Sequence, residues 1–324
     1  MRLTRMLALG AASVVLLSAC SLGGGSKPTI KIGSVGFYEA KIMAEIYAQD
    51  LEANGYTVDR AGIGLGDRSV VAPAIESGQI DLQPEYIGSR ISYEVAHMAS
   101  PSGGAQPSSA ITAPTGDSQT NLTDLQQLLT AKNLTVLNYT PAVDTNAFVV
   151  RPDTASQFHL TNLSDTTAVQ SQLKWGLATD CATNPLCGAP GGALQAQYGI
   201  AAQTIAGATL LSACDTPMAD ALKAGTIDVG ELCSTQPDIA VNGWVVLNDD
   251  KNSQPADNIS PIVRNDYLSK VDKASFEKLL NDVSAKMTTA MLTDLNKEVA
   301  VDHQDVAAVA KQWLQQNGFI PSHS

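Results

Sequence analysis

Tyr86 and Ser89 are the residues whose chemistry and placement first point to a functional site. They close the stretch Ala74-Ile-Glu-Ser-Gly-Gln-Ile-Asp-Leu-Gln-Pro-Glu-Tyr-Ile-Gly-Ser89. It reads as a helix end, a stop at Gly78, a short buried strand from Ile80 to Leu82 and a turn at Pro84. An aromatic ring and a hydroxyl just past a strand's carboxyl end stand where open α/β sheets place their ligands. The chain repeats the unit at Ala221-Leu-Lys-Ala-Gly-Thr-Ile-Asp-Val-Gly-Glu-Leu232, and both copies fit A-[I/L]-x-x-G-x-I-D-[L/V]. A single copy is a common way to join a helix to a strand. Two matched copies, each followed by polar or aromatic residues, predict two similar α/β lobes facing one cleft.

Covalent chemistry finds no foothold. The sequence has no Gly-x-Ser-x-Gly, Walker loop, His-Glu-x-x-His or Rossmann glycine fingerprint. His97, His159, His303 and His323 are scattered over expected surface elements and read as solvated side chains. Gly64-x-Gly66 is only a partial Gly-rich loop, which reads as a plain turn. Acidic residues are plentiful, but no pair has a spacing that singles out acid–base work. The chain is therefore expected to be no enzyme and to need no cofactor or metal.

The first twenty residues set the compartment. Arg2 and Arg5 precede an apolar run from Leu7 to Leu17, which has signal-peptide length and is too short to span a bilayer. The run ends Leu17-Ser-Ala-Cys20, which resembles a bacterial lipobox. That likeness implies cleavage before Cys20, a lipid on its thiol and a membrane-anchored protein on the extracytoplasmic face. Residues 1–19 are then leader, and 20–28, rich in Gly and Ser, a flexible tether. Cys181, Cys187, Cys214 and Cys233 remain, an even number that in an exported protein reads as two disulfides with three possible pairings. Cys181–Cys187, closing a Pro-containing loop, and Cys214–Cys233, bracketing the second repeated unit, are the favoured set. A zinc site is the rival, but no Cys-x-x-Cys spacing and no nearby His support it. A formal net charge of −12 argues against nucleic acid and against acidic membranes as partners.

These residues need a scaffold, and 324 residues suffice for two domains with their own cores. Thr29 to Val35 alternates as a first strand. A helix follows from Ala40 to Asn54 with Ile42, Met43, Ile46, Tyr47 and Leu51 on its buried face, then a strand from Tyr56 to Ile63 and a helix capped near Ser69. Strand and helix in this order predict a mainly parallel sheet. A helix is expected from beyond Ser89 to Met98. Residues 99–119, dominated by Ser, Gly, Pro and Ala, read as an exposed insertion, with a lid as the alternative. Further on come a helix at 121–131 and a strand at 134–138. The second lobe is expected to hold strands at 147–150 and 175–178, a helix from Asp165 to Leu173, a helix at 192–198, the second repeated unit and a late strand at 245–247. Ile262 to Arg264 would rejoin the first sheet, and helices at 273–290, 292–300 and 304–317 close the chain. The expected division is 29–140 for the first part of lobe 1, 141–251 for lobe 2, and 252–324 for the return to lobe 1.

Gly-Phe-Tyr-Glu39, Ile42-Met-Ala-Glu-Ile-Tyr47, Gly78-x-Ile-Asp81 and Pro84-Glu-Tyr-Ile-Gly-Ser89 together resemble the substrate-binding proteins of osmoprotectant ABC importers. Those are the glycine betaine, choline, carnitine and proline uptake lipoproteins. The likeness runs from Ile30 to Ile320, and Pro-Glu-Tyr-x-Gly-[Ser/Thr] is its specific part. It implies a type II periplasmic-binding-protein-like fold of two α/β lobes with two crossovers. It also implies a box of tyrosines around a quaternary ammonium, because aromatic faces attract a cation that offers no hydrogen bonds. Tyr86 matches one box tyrosine, and Ser89 stands where a hydroxyl contacts the ligand.

Elsewhere the sequence departs from that pattern. Ala40 replaces a common Gln. Asn146 of Asp144-Thr-Asn146 falls where Tyr is usual, Cys233-Ser234-Thr235 matches Tyr-Ser-Thr, and Asp257 lies near a fourth tyrosine position. No Arg is evident near Cys187, where relatives hold a carboxylate. Asp144, Asn146, Ser234, Thr235 and Asp257 would make the cleft more polar than a betaine box, unless Tyr38, Trp244 or Tyr267 supplies the missing rings. Glu39, Asp81 and Glu85 are assigned structural work. The expected function is a monomeric receptor that captures a small polar or quaternary-ammonium solute and delivers it to ABC permease subunits. A surface sensor on the same fold is the alternative, and an extracellular enzyme the more distant one.

Overall fold

Each copy of the repeated unit locks one sheet in the same way, as a computed structural model of residues 27–98 and 111–322 makes plain. The leader, Cys20, most of the tether and residues 99–110 lie outside the described residues. The first sheet holds β1 (Ile30–Val35), β2 (Val58–Gly66), β3 (Leu82–Tyr86), β4 (Leu134–Val136) and β10 (Ile259–Arg264), in the order β2-β1-β3-β10-β4. The second holds β5 (Asn146–Val150), β6 (Trp175–Ala178), β7 (Thr209–Leu211), β8 (Val229–Cys233) and β9 (Val245–Val246), in the order β7-β6-β8-β5-β9.

In the first copy Ile80 packs on Gly33 of β1, and the Asp81 carboxylate accepts from the Lys31 amide at 3.1 Å. The Lys31 ammonium in turn donates to the Gly78 carbonyl. In the second copy Ile227 packs on Gly176 of β6, Asp228 accepts from the Lys174 amide at 3.0 Å, and the Lys174 ammonium donates to the Gly225 carbonyl. Gly78 and Gly225 both take the left-handed backbone that ends a helix at glycine (φ 82° and 71°). An arginine seals each joint: Arg264 donates to the carbonyls of Ile75 and Glu76, and Arg151 to those of Leu222 and Ile227. The doubled motif is thus a structural staple, and the ligand-facing edge begins a few residues beyond it.

The sheets are mainly parallel, as expected, apart from one reversed strand in each. β10 runs antiparallel to β3 and β4, and β5 antiparallel to β8 and β9. These are the strands on which the chain enters a sheet from the other lobe. They start at the edge where their neighbours end, so they must run the opposite way. Pro84, expected in a turn, lies inside β3 and faces Pro261 of β10, so the two missing N–H groups fall on one rung of the ladder.

Two helices also differ from expectation. The Asp165–Leu173 helix is replaced by a 3-10 turn at Leu163–Ala168, begun by a capping box between Asn162 and Asp165. Thr166, Thr167 and Val169 crowd its backbone, and no apolar stripe carries it onward. The long helix expected to Ala290 ends at Lys286, because Thr288 caps a new one at Thr289–Ala300 by accepting from the Met291 amide.

One apolar core lies around the first sheet and includes the Tyr38–Ala53 helix and the C-terminal helices. Two smaller clusters flank the second sheet. Tyr38, Tyr267 and Trp244 are buried in these cores. Cys181 pairs with Cys187 and Cys214 with Cys233, the favoured set of the three.

The staple makes a symmetric prediction. A Cβ on Gly33 would sit 2.5 Å from Ile80 Cδ1, and one on Gly176 2.4 Å from Ile227 Cδ1. Gly33→Ala and Gly176→Ala should each destabilise the fold by roughly 1–3 kcal/mol through overpacking. Urea unfolding measures this, and an unchanged midpoint for either variant would contradict the packing described.

Candidate ligand-binding site

A cleft of about 290 Å³ opens where the carboxyl ends of the parallel strands of both sheets meet. Val35, Gly66 and Tyr86 end β1, β2 and β3 on one wall, while Ala178 and Cys233 end β6 and β8 on the other. The reversed strands contribute from their starting ends: Asn146 opens β5, and Asp257 stands just ahead of β10. Both sheets therefore offer their ligand-binding edge to the same space. The two connections between lobes touch beside it, where the Asp144 amide donates to the Asp257 carbonyl at 2.9 Å.

Of the residues marked from the sequence, Tyr86, Ser89, Asp144, Asn146 and Asp257 line the cleft. Tyr38, Ser234 and Thr235 do not, and neither does Trp244 nor Tyr267. Thr235 is buried behind the wall, and exposed Ser234 binds the Asp144 carboxylate at 3.1 Å. Asp257 accepts from the amides of Gly88 and Ser89 and, at 2.5 Å, from the Ser89 hydroxyl. It caps the Ile87–Met98 helix from across the chain, a role that Ser89 itself, inside the first turn, does not fill.

The second aromatic face is Phe37, whose ring centroid lies 5.5 Å from that of Tyr86. It directly precedes the Tyr38 singled out in Gly-Phe-Tyr-Glu39, and a helix starting at Tyr38 turns Tyr38 inward and leaves Phe37 at the edge. Cys233 joins Cys214 in a disulfide, and both half-cystines line the cleft.

Charge is the other feature, and of its bearers the sequence pointed only to Asp144 and Asp257. Asp67, Asp144, Asp180, Glu231 and Asp257 all line the cleft, against a single cation, Arg68. Arg68 is spoken for: its guanidinium donates to Glu85 at 3.0 and 3.2 Å. Gly64 and Gly66, expected in a turn, are among the last residues of β2, and Asp67 and Arg68 follow as the cap and first residue of the Arg68–Ser77 helix.

Burial pushes the Asp257 carboxyl up to about 6 despite its donors, and the Glu231 carboxyl up to about 7. Asp144 is raised well above the ordinary range by burial and then by the charge of Glu39. Glu39, itself raised by burial, accepts from Tyr86 Oη at 2.7 Å, Thr235 Oγ1 at 2.5 Å and Asn296 Nδ2 at 2.5 Å. The structural work expected of Glu39 is to hold these three side chains.

Two α/β lobes joined by paired crossing segments, with one polar and aromatic cleft between them, define a two-lobed solute-binding protein. Among the described residues no helix is long and apolar enough to cross a membrane. The chain belongs to the family described as the substrate-binding domain of ABC-type glycine betaine transport systems, which matches residues 28–316. It is 27% identical over 322 residues to the glycine betaine-binding protein YehZ of Escherichia coli, covering 97% of this chain and 99% of that one. It is 25% identical over 318 residues to the carnitine transport binding protein OpuCC of Listeria monocytogenes, covering 95% and 94%. In fold it resembles the crystal structure of a glycine betaine/carnitine/choline ABC transporter, with a TM-score of 0.64, 21% identity and coverage of 90% and 99%. A closed, glycine betaine-bound lactococcal OpuAC gives a TM-score of 0.59 at 14% identity, covering 90% and 96%.

The raised carboxyls carry a pH dependence. The folded protein holds protons on Asp257 (about 6), Glu231 (about 7) and Asp50 (about 7) that the unfolded chain releases near pH 4. Their contribution is full below about pH 4 and lost as pH rises through about 7, so the unliganded protein should melt higher at pH 5 than at pH 8. Thermal unfolding at constant ionic strength checks this, and a higher melting temperature at pH 8 would refute it.

Proposed function

We propose that the chain captures a small solute in this cleft, closes its lobes over it and presents it to ABC permease subunits driven by an ATPase. One observation carries the reading: the carboxyl edges of both sheets converge on a single cleft with two aromatic faces and several buried polar groups. Family membership supports it, and the relatives named for glycine betaine and carnitine share nearly the full chain. Capture and release require no covalent step. Tyr86, Ser89, Asp144, Asn146 and Asp257 form the ligand-facing set, joined by Phe37. Ser234 and Thr235 support Asp144 from behind, and Tyr38 anchors the helix that carries Phe37. The lobes divide near residues 141 and 252, where the chain crosses. The protein works as a monomer outside the cytoplasm.

The test is a thermal-shift panel on the full-length protein in mild detergent, with betaine, choline, carnitine, proline, polyamines and sugars. A solute at a hundredfold its dissociation constant adds about 2.7 kcal/mol of stability. At least one member should raise the melting temperature, and Phe37→Ala should weaken a cationic hit by about 2- to 30-fold, the range for one ring face. No shift with any solute would defeat the proposal.

We further propose that a lipid on Cys20 holds the protein at the membrane. Cys20→Ser should move it from the membrane to the soluble fraction on cell fractionation, and an unchanged distribution would remove the anchor.

A further inference from the structure

Resting on the solute-capture reading, we infer that the cleft selects a cation bearing N–H groups, a primary amine or guanidinium without a carboxylate of its own. The chief acceptor is Glu231, with Asp180 and Asp67 beside it.

The wall carboxylates differ in how far they are already satisfied. Asp257 receives the Gly88 and Ser89 amides and the Ser89 hydroxyl, and Asp144 receives Ser234 and the Thr235 amide. Asp257, engaged at both oxygens, is committed to holding the fold. Asp144 and Glu231 each keep one oxygen without a donor among the described residues, and of the two Glu231 has the fewer donors. Its side chain lines the cleft from β8 at 1% exposure, yet only Oε2 is engaged, by the Ala178 amide at 2.8 Å. The Cys187 sulfur lies 3.2 Å from the same oxygen, but it is half of a disulfide and has no hydrogen to give. Among the described residues nothing donates to Glu231 Oε1. A buried carboxylate with an open oxygen facing a cavity is costly unless a donor arrives.

Asp180 and Asp67 extend this wall. The nearest donor to Asp180 is Asn184 at 3.5 Å, and the nearest to Asp67 is Thr179 at 3.4 Å, both at the limit of hydrogen bonding. Asp180 raises the cost of ionising Glu231, and Asp67 raises that of Asp180 against the larger opposite pull of Arg68. A cation seated among them relieves both repulsion and desolvation.

A quaternary ammonium supplies charge but no hydrogen for Glu231 Oε1. A betaine or carnitine would also bring a carboxylate into a wall of five acids, where the only guanidinium is held by Glu85. An amine or guanidinium meets both demands, and the Phe37–Tyr86 corner offers ring faces to the rest of the molecule.

Isothermal titration of the full-length protein in mild detergent, with putrescine, agmatine, choline and glycine betaine as probes, tests the inference. Putrescine or agmatine should bind at least tenfold more tightly than choline and glycine betaine. Binding should release protons, seen as heats that differ between phosphate and Tris buffers at pH 7, because the cation forces Glu231 to ionise. Glu231→Gln, which keeps the acceptor for Ala178, should weaken amine binding at least tenfold, abolish most of the proton release and leave the fold intact by circular dichroism. Glu231→Asp should restore part of the affinity. Equal or tighter binding of choline or glycine betaine overturns the inference, and so does an amine affinity indifferent to Glu231→Gln. If these probes fail but a neutral solute of the wider panel binds, solute capture stands and this selectivity falls. If nothing binds, both fall together.

Discussion

Glu39 is a carboxylate removed from water, and three distant parts of the chain replace the hydration it lost. Tyr86 comes from the end of β3, Thr235 from just past β8 in the other lobe, and Asn296 from a C-terminal helix. Asn296 also donates to the Thr235 carbonyl, which closes the group on itself. Its position in the first turn of the Tyr38–Ala53 helix adds the favourable field of the helix N-terminus. Hydrogen bonds to a charged group are worth more than neutral ones, and leaving such a group unpaired costs several kcal/mol, so the three segments must arrive together. With its hydroxyl committed to Glu39, Tyr86 has its ring face left for the cleft. The lobes are thus held in register by the same contact that orients an aromatic wall.

How much of this was legible in the sequence depends on the range of the interaction. β6 at Trp175–Ala178 and the doubled helix–glycine–strand unit were readable because their signals are local: a short apolar run, a left-handed glycine and an aspartate that binds the neighbouring strand. The direction of β5 and β10 was not, because apolar patterning is the same in parallel and antiparallel strands. Pro84 read as a turn because the compensating proline lies 177 residues later at Pro261. The Pro-Glu-Tyr-x-Gly-Ser element led to Tyr86 and Ser89 at the cleft. The task of Glu39 is not legible locally, since its partners come from three remote elements. Nothing local marks Asp67 and Arg68, and only their place just past the end of β2 makes them part of a wall.

The cleft differs from a tyrosine box in a physically coherent way. A half-cystine occupies the Cys233 position, an amide the Asn146 position and a carboxyl the Asp257 position. Each adds a firm bond or a hydrogen-bonding group where the resemblance implies a tyrosine face. Asp257 caps a helix, Asn146 binds Gln254, and Cys233 is fixed to Cys214. The wall is acidic, and its aromatic surface is gathered at the Phe37–Tyr86 corner.

Asp144 and Asp257 face the cleft, yet they also mark the place where the chain passes between lobes, their backbones joined beside the bridge between Val143 and Asn258. Most gripping devices keep pivot and jaw apart. Here the crossing and the cleft wall share residues, so a rotation of one lobe against the other would rearrange the cleft surface. A permease sensing lobe angle would thereby read the chemistry of what is held as well as its presence.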